Sequence, residues 1–157
     1  MDSQVYRASV AAIIVNEKKE FLITQLRKAR KDEFDFVKGG MDLGENEIET
    51  LKREIKEELG KDFKYDILQK SEVYIIYEWP EMLKKQSGLR GQARISFWVF
   101  YKSGKINIAK RELRNAKWVP EKEVINELKK GHFRDFILEN LWKEWTKIKK
   151  DLPALFK

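Results

Sequence analysis

The sequence has no cysteine and one histidine, His132. It therefore forms no disulfide, no thiolate metal site and no histidine-rich metal cluster, and it has no cysteine nucleophile. The longest unbroken apolar run, residues 10–15, has six members, whereas a helix needs about 20 apolar residues to span a bilayer. These absences predict a cytoplasmic protein without a membrane partner.

Glycine and proline are also scarce, with 8 and 3 residues among 157. The composition, with 42% hydrophobic and 38% charged residues, is that of a folded chain rather than a disordered or collagen-like one. A chain of this length buries roughly 70% of its unfolded surface and is expected to have one core. We therefore expect residues 1–157 to form a single domain.

The net charge of +7 is unevenly distributed along the chain. Residues 42–81 contain twelve acidic and six basic residues, while residues 82–111 contain eight basic and no acidic ones. Carboxylates bind divalent cations and Lys or Arg side chains bind polyanions, so this segregation suits a site that holds both. Ordinary surface charge on a protein rich in Lys and Glu explains the pattern equally well.

Hydrophobic periodicity predicts a mixed sheet flanked by helices, which is an α/β fold of the α+β type. Residues 5–15 and 20–26 are rich in β-branched and apolar residues around a polar turn, as is typical of a hairpin. A charged, exposed loop is expected from residue 27 to residue 33. Further strands are expected at 64–68, 72–79, 93–101 and 116–119, with one more after Gly104. Helices are expected at 120–128 and 132–150, and a basic loop at 82–91.

Residues 45–60 predict an amphipathic helix that ends at Gly60. Its apolar residues recur at spacings of three and four and should be buried: Ile48, Leu51, Ile55 and Leu59. Glu54, Glu57 and Glu58 share a separate patch, where like charges one turn apart repel by a few tenths of a kcal/mol. A hard divalent cation such as Mg²⁺ would convert this repulsion into ligation, because it prefers carboxylate oxygens.

The segment from Gly39 to Lys61 resembles the Nudix box, Gx5Ex7REUxEExGU, where U is aliphatic. Every fixed letter is matched at its spacing, by Gly39, Glu45, Arg53, Glu54, Glu57, Glu58 and Gly60. The one departure is Lys61 at the last aliphatic position, where Phe63, two residues further on, is expected to supply the packing. The resemblance implies the Nudix fold, a mixed sheet between helices in an α/β/α sandwich.

The resemblance extends towards the subgroup of dinucleoside polyphosphate hydrolases and bacterial RNA 5′ pyrophosphohydrolases. The heptapeptide F-D-F-V-K-G-G, which ends at Gly40, is similar to that subgroup's W-Q-F-P-Q-G-G, and K-G also occurs in the P-K-G form of diadenosine and inositol polyphosphate hydrolases. G-Q-A-R, which ends at Arg94, is similar to G-Q-x-Q. Shorter likenesses are Y-R-x-x-V-x-x-I-x-x-N from Tyr6, Y-E-W-P from Tyr77, E-x5-W-V from Glu112 and F-R-D from Phe133.

By this resemblance, Glu54, Glu57 and Glu58 bind the divalent ion, with the Gly39 carbonyl as a further ligand. Glu112 matches the remote glutamate that completes metal binding or acts as the general base. The resemblance leaves the base open among Glu57, Glu58 and Glu112. The alternative interpretation of Glu112 is an ordinary surface acid.

Supporting roles are expected around these glutamates. Arg53 can pair with Glu57 four residues on and orient the acidic cluster, and Glu45 at the helix start favours the positive end of the helix dipole. Glycine adopts positive φ angles freely and would bring the backbone close to metal and phosphate. The glycines concerned are Gly39, Gly40 and Gly44.

Cations and aromatic side chains outside the box are candidates for substrate contact. The expected phosphate contacts are Arg7, Lys38, Arg90 and Arg94. Tyr77 and Trp79 are expected to stack on a base, which is worth about 1 to 3 kcal/mol. Arg7 and Tyr77 are favoured because their local motifs match, and the alternatives are solvated charges and aromatic residues of the core. His132 is assigned no chemistry.

The resemblance and the charge pattern together predict a Mg²⁺-dependent pyrophosphohydrolase, with Mn²⁺ as a possible substitute. The expected substrate is a dinucleoside polyphosphate or a 5′-triphosphorylated RNA, and DNA is not expected. A nucleoside triphosphate or inositol polyphosphate hydrolase is the alternative within enzymes. A non-catalytic Nudix-fold module that binds RNA or nucleotides is the alternative of another class.

Overall fold

The structure is a computed structural model that describes residues 5–29, 33–131 and 133–152. Its elements, in chain order, are β1 (Tyr6–Val15), β2 (Glu20–Leu26), β3 (Val37–Gly40), α1 (Glu47–Leu59), β4 (Lys64–Glu78), α2 (Glu81–Ser87), β5 (Gly91–Ser103), β6 (Leu113–Pro120), α3 (Glu121–Lys129) and α4 (Asp135–Asp151). The expected hairpin is present as β1 and β2, which pair antiparallel at Ile14↔Leu22 and Val15↔Phe21.

The strands form one mixed sheet in the order β4-β5-β1-β2-β6, with β3 paired to β1 outside that path. β1 runs parallel to β5 along its whole length. On its other edge, β1 pairs with β3 over residues 9–12 and with β2 only at residues 14–15. The sheet therefore opens between β1 and β2, and the glycine-rich end of β3 lies in this opening.

The core has two parts, one on each face of the sheet. Alternate residues of β1 point to opposite faces, as the pleat of a strand requires. Val10, Ala12 and Ile14 pack with the buried face of α1, while Ala11 and Ile13 pack with α3 and α4. Helices thus cover both faces, and the expected α/β/α arrangement is confirmed.

The two strands expected at 64–68 and 72–79 are one strand, β4, interrupted by register shifts between Ile67 and Gln69 and between Lys70 and Tyr74. At the second shift, the carboxylate of Glu144 in α4 accepts hydrogen bonds from the Ser71 hydroxyl at 2.6 Å and from the backbone N–H of residue 72 at 2.8 Å. The polar middle of β4 is therefore held by α4 while the strand continues through it.

The expected loop at 82–91 is largely replaced by the short helix α2, Glu81–Ser87. Pro80 precedes it with φ −58°, and Gly88 ends it in the left-handed region at φ 73°, so the chain has both a start and a stop signal for a helix. The strand expected after Gly104 is absent from residues 104–110. Instead, the N–H groups of Asn107 and Ala109 donate to carbonyls at the end of α1, at 2.8 and 3.0 Å.

The spacing of apolar residues in 132–150 predicts a buried stripe that includes Phe136 and Asn140, and this stripe and that of α1 both differ in detail from the structure. Ile48 of α1 is 37% exposed, and Phe136 of α4 is 60% exposed. Asn140 is also exposed and donates to the Phe136 carbonyl one turn before it. α4 begins at Asp135, and His132, where the helix was expected to start, lies outside the described residues. Within the described ranges, none of the helices has the length and apolar character needed to cross a bilayer.

Candidate active site

A cleft of about 570 Å³ lies where the sheet opens. Its walls come from the start of β1, from β3, from α1, from the end of β4 and from the turn before β6. Several residues expected in the site line it: Arg7, Lys38, Gly39, Gly40, Glu54, Glu58, Tyr77, Trp79 and Glu112. Residues that are far apart in the sequence, at positions 7, 54 and 112, therefore meet in one cleft.

The glycines of β3 make room for charged side chains. A Cβ on Gly39 would overlap the carboxylate of Glu54, and a Cβ on Gly40 would overlap the guanidinium of Arg7. Neither glycine has a positive φ, whereas Gly44 does, at 87°. The expected reason for Gly39 and Gly40 is therefore wrong: these positions need close approach, and only Gly44 needs the backbone freedom of glycine.

Glu54 and Glu58 project from adjacent turns of α1 and are only 8% and 3% exposed. Burial raises the pKa of Glu54 to about 7, against the opposing effect of the Arg53 guanidinium. Burial, followed by the charges of Glu54 and Glu112, raises the pKa of Glu58 to about 8. The low-dielectric surroundings disfavour each carboxylate, and the neighbouring negative charges add to this effect.

The donor atoms at this end of the cleft suit a hard divalent cation. Glu58 Oε2 is buried and accepts no hydrogen bond from the described residues, and Glu54 and Glu112 are close enough to shift its pKa. Carboxylate and carbonyl oxygens are the ligands that Mg²⁺ and Mn²⁺ prefer. Over residues 5–29, 33–131 and 133–152, no three His, Asp or Glu side chains form a complete metal-binding group. The type of donor atoms therefore suits a divalent cation, although the side chains do not form a complete coordination shell.

Arg53 connects α1 to the glycine strand. Its guanidinium donates to both Glu45 oxygens, at 2.7 and 2.9 Å, to Glu54 at 2.8 Å and to the Gly40 carbonyl at 2.9 Å. The Arg53 hydrogen bond lowers the pKa of Glu45 to about 2. Glu45 acts mainly as a partner of Arg53, and the helix start itself is capped by Asn46, which forms a capping box with Glu49.

Glu57 lies outside the cleft lining, although the sequence placed it with Glu54 and Glu58. Its side chain is 49% exposed and accepts a hydrogen bond from Arg53 at 3.2 Å. Glu112 does line the cleft, just before β6, where its backbone carbonyl accepts from the Arg27 N–H at 2.8 Å. Of the three candidates for the general base, Glu58 and Glu112 therefore line the cleft.

Two of the four cations expected to contact phosphate lie elsewhere. Arg94 is fully buried and donates two hydrogen bonds of 2.9 Å to the carboxylate of Asp35. Arg90 donates to Glu78 at 2.6 Å and lies over the ring of Tyr6. Neither lines the cleft, because each is held by a carboxylate of its own. Their expected contact with phosphate is therefore not supported.

The family model described as the NUDIX domain matches residues 5–140. This chain belongs to the Nudix family. The expected family and its hydrolase class are confirmed, and the cleft described above contains positions 39, 54 and 58, which carry fixed letters of the Nudix box.

Curated relatives of this Nudix chain carry the name RNA pyrophosphohydrolase. The protein of a Nitratiruptor species is 34% identical over 134 residues, which cover 80% of this chain and 85% of that one. The protein of Ruthia magnifica subsp. Calyptogena magnifica is 35% identical over 82 residues, covering 52% of this chain and 45% of that one. The second match thus spans less than half the length of that relative.

Among solved structures, an Ap4A hydrolase from C. elegans in a binary complex superimposes with a TM-score of 0.67. The match covers 90% of this Nudix chain and 98% of the other, at 17% sequence identity. At that identity the likeness concerns the fold alone.

The Nudix cleft also contains cations that the sequence did not single out. Arg27, Lys28 and Arg111 line it together with Arg7 and Lys38. Arg111 belongs to the basic segment 82–111, and the other two open the charged loop after β2, so charge alone was a signal for them. Gln92 lines the cleft as well and accepts a hydrogen bond of 2.5 Å from the Tyr77 hydroxyl.

Proposed function

We propose that this chain is a Mg²⁺-dependent pyrophosphohydrolase that converts the 5′-triphosphate end of RNA to a monophosphate. The observation that carries the proposal is a single cleft with buried carboxylates from α1 at one wall and five Lys and Arg side chains around it. The names of the curated relatives favour RNA as the substrate. We infer that the reaction takes place in the cytoplasm.

The cleft residues divide into two groups by charge. Glu54 and Glu58, with the Gly39 carbonyl, would hold Mg²⁺, and Mn²⁺ offers a similar preference for oxygen. When bound, the ion would polarise a phosphoryl oxygen and lower the pKa of a water molecule. Arg53 holds the Glu54 carboxylate in place by a hydrogen bond of 2.8 Å.

The cations would bind the substrate through its phosphates. Arg7, Lys28 and Arg111 form no ion pair with any carboxylate in the described ranges, so their charges are available to a triphosphate. Tyr77 and Trp79 line the same cleft, and their rings would stack on the first base. Neutralising the phosphates in this way also stabilises the charge that develops as the P–O–P bond breaks.

We assign the general base to Glu112. In the part of the chain that the structure describes, its side chain has no hydrogen bond or ion pair, and it lines the cleft. It can therefore accept the proton of the attacking water, while the more deeply buried Glu58 serves as a ligand. The attacking water gives its proton to Glu112 while its oxygen bonds to a phosphorus of the α–β linkage, and the P–O–P bond of that linkage breaks to leave RNA 5′-monophosphate and pyrophosphate.

A dinucleoside polyphosphate is the second candidate substrate. Tyr77 and Trp79 both line the cleft, so the site has aromatic surface for a nucleoside at the end of a polyphosphate chain. Such a substrate needs the same carboxylates and the same cations, because the bond that is cleaved is again a phosphoanhydride.

The test is a product analysis with Mg²⁺ and two substrates, 5′-triphosphorylated RNA and diadenosine tetraphosphate. Preferential conversion of the RNA to its monophosphate would support the proposal, and release of ATP and AMP from the dinucleotide would favour the second candidate. Glu58→Gln should abolish turnover, whereas Glu139→Gln, an exposed change on α4, should not. Tight RNA binding without turnover by the parent would indicate a binding module, and turnover that survives Glu58→Gln would contradict the catalytic assignment.

A further inference from the structure

Asp35 is a buried acid beside the cleft that the proposed reaction does not use. Its backbone is fixed by β2, since the Asp35 N–H donates to the Thr24 carbonyl at 2.9 Å and the Thr24 N–H donates back at 2.7 Å. Its carboxylate lies between two cations. Arg94 donates to both oxygens at 2.9 Å, and the Lys38 ammonium donates to Oδ2 at 2.8 Å.

Both cations are connected to the cleft. Lys38 lines it, and Arg94 lies between the rings of Tyr77 and Phe133, at 5.7 and 5.8 Å from their centroids. Tyr77 is itself a cleft residue. The Asp35 carboxylate therefore holds one cleft side chain directly and braces a second through Arg94.

The three charged positions depart together from the subgroup pattern that the sequence resembles. W-Q-F-P-Q-G-G and G-Q-x-Q carry glutamine at the positions of Asp35, Lys38 and Arg94. All three are charged here, and Lys38 and Arg94 both donate to the carboxylate of Asp35. One negative and two positive charges leave a net charge of +1, and because Arg94 is fully buried, Lys38 presents that charge to the cleft.

We infer that Asp35, through its ion pair with Arg94, is a positioning residue that fixes the Lys38 ammonium at the cleft wall as a preset contact for substrate phosphate. This inference rests on the proposed function, since it takes the anion in the cleft to be the polyphosphate of the substrate. A lysine without a partner loses rotamer freedom when it binds phosphate, whereas Lys38 is already held by its hydrogen bond.

The test is a cycle built on the double variant Asp35→Gln/Arg94→Gln. This change replaces the buried pair by two amides and keeps the net charge of the group at +1, so long-range attraction is unaltered. The measured quantity is the Kd of inorganic tripolyphosphate in EDTA, which depends on neither hydrolysis nor metal. Lys38→Gln should weaken binding roughly tenfold in the parent and less than about twofold in the double variant.

An equal effect of Lys38→Gln in both backgrounds would show that Asp35 and Arg94 act only in folding and would overturn the inference. No effect of Lys38→Gln in the parent would overturn it as well. The control is Asp66→Asn/Lys102→Gln, which removes an exposed ion pair of 3.3 Å outside the cleft lining and should leave Kd unchanged.

Asp35→Glu provides a second test should the double variant not fold. It keeps the charge that Arg94 needs but moves the carboxylate by one methylene, so KM for the substrate should rise several-fold while kcat changes less. Unchanged KM and tripolyphosphate affinity in a folded Asp35→Glu protein would overturn the inference. If the parent hydrolyses none of the nucleotides or RNA substrates, but the tripolyphosphate cycle gives the expected result, the proposed function is refuted. The positioning of Lys38 by Asp35 would still stand.

Discussion

At the scale of single residues, the site depends on side chains that are absent as much as on those present. Gly39 leaves the space that the Glu54 carboxylate occupies, and Gly40 does the same for Arg7. The Nudix box pattern shows that glycine occurs at position 39, but the pattern does not state the reason. Which contact excludes a Cβ depends on α1 packing against β3.

We expect Gly39→Ala to displace the Glu54 carboxylate and to lower kcat/KM by about 100-fold or more, because a shift of about 1 Å in a catalytic group has effects of this size. Steady-state kinetics measure the loss of kcat/KM, and a thermal melt measures any loss of stability separately. Gly44→Ala is the matched control, since nothing lies within 4 Å of the added Cβ and only its φ of 87° is strained.

Gly44→Ala should therefore cost about 1 kcal/mol in stability and leave kcat/KM close to that of the parent. Equal kinetic losses in the two variants would mean that backbone freedom, and not the space for Glu54, is what position 39 requires.

At the scale of elements, α1 is both the most predictable part of the molecule and the carrier of the acidic groups. Its periodicity, its capping box and its end at Gly60 are local features, and the observed helix is two residues shorter at the start than expected. The patch of three glutamates was also a local expectation. The pairing of Glu57 with Arg53 was expected too, but the consequence, that Glu57 lies outside the cleft lining, depends on where β3 and β6 lie.

Arg53→Lys tests how α1 is held against the glycine strand. Lysine cannot reproduce the planar fork that binds Glu45, Glu54 and the Gly40 carbonyl together. We expect a loss of about 1 to 3 kcal/mol in stability together with a fall in kcat of at least tenfold, as the Glu54 carboxylate loses its partner. Chemical denaturation and steady-state kinetics measure the two quantities.

Asn46→Ala is the control for this prediction, because it weakens the same helix at its cap without touching the cleft. It should cost about 1 kcal/mol and leave kcat unchanged. A kcat for Arg53→Lys as high as that of Asn46→Ala would show that Arg53 serves only the stability of α1.

In two other segments, sequence patterns over a few residues did not predict the secondary structure. The polar residues in the middle of β4 favoured two strands, yet pairing with β5 and the hydrogen bonds to Glu144, 73 residues away from Ser71, carry one strand through them. A strand was expected after Gly104, but the N–H groups of Asn107 and Ala109 donate to carbonyls at the end of α1 instead.

At the scale of the whole molecule, the buried carboxylates oppose folding when they are charged. The pKa values of Glu54 and Glu58 are raised by burial to about 7 and about 8 from the ordinary 4.5. The folded state therefore binds protons more tightly than the unfolded chain. Its extra stability is fully present below about pH 4.5 and is lost as the pH rises through 7 and 8.

In EDTA we therefore expect Tm to fall as the pH is raised from about 5 to about 8. The low pKa values of Asp35 and Glu45 act only below about pH 4.5 and do not disturb this range. Added Mg²⁺ should remove most of the decline, because ligation offsets the repulsion and requires the carboxylates to be charged.

Glu58→Gln should reduce the pH dependence in EDTA, since it removes the group whose pKa is raised most. A Tm that stays level or rises over this range in the parent, measured by scanning calorimetry, would contradict the raised pKa values.

The domain organisation also belongs to the scale of the whole molecule. The family model matches residues 5–140, and a single domain over residues 1–157 stays a prediction.

The sequence by itself determined the features that depend on neighbouring residues. These are the β1–β2 hairpin, helix α1 with its acidic patch, and the Nudix box, because turns, caps and helical spacing act over a few residues. Only the tertiary structure decided which charges face the cleft. Arg94 is paired with Asp35, 59 residues away, while Arg27, Lys28 and Arg111 line the site instead. A charge is buried or available according to the partner that the fold brings beside it, and such partners are distant in sequence.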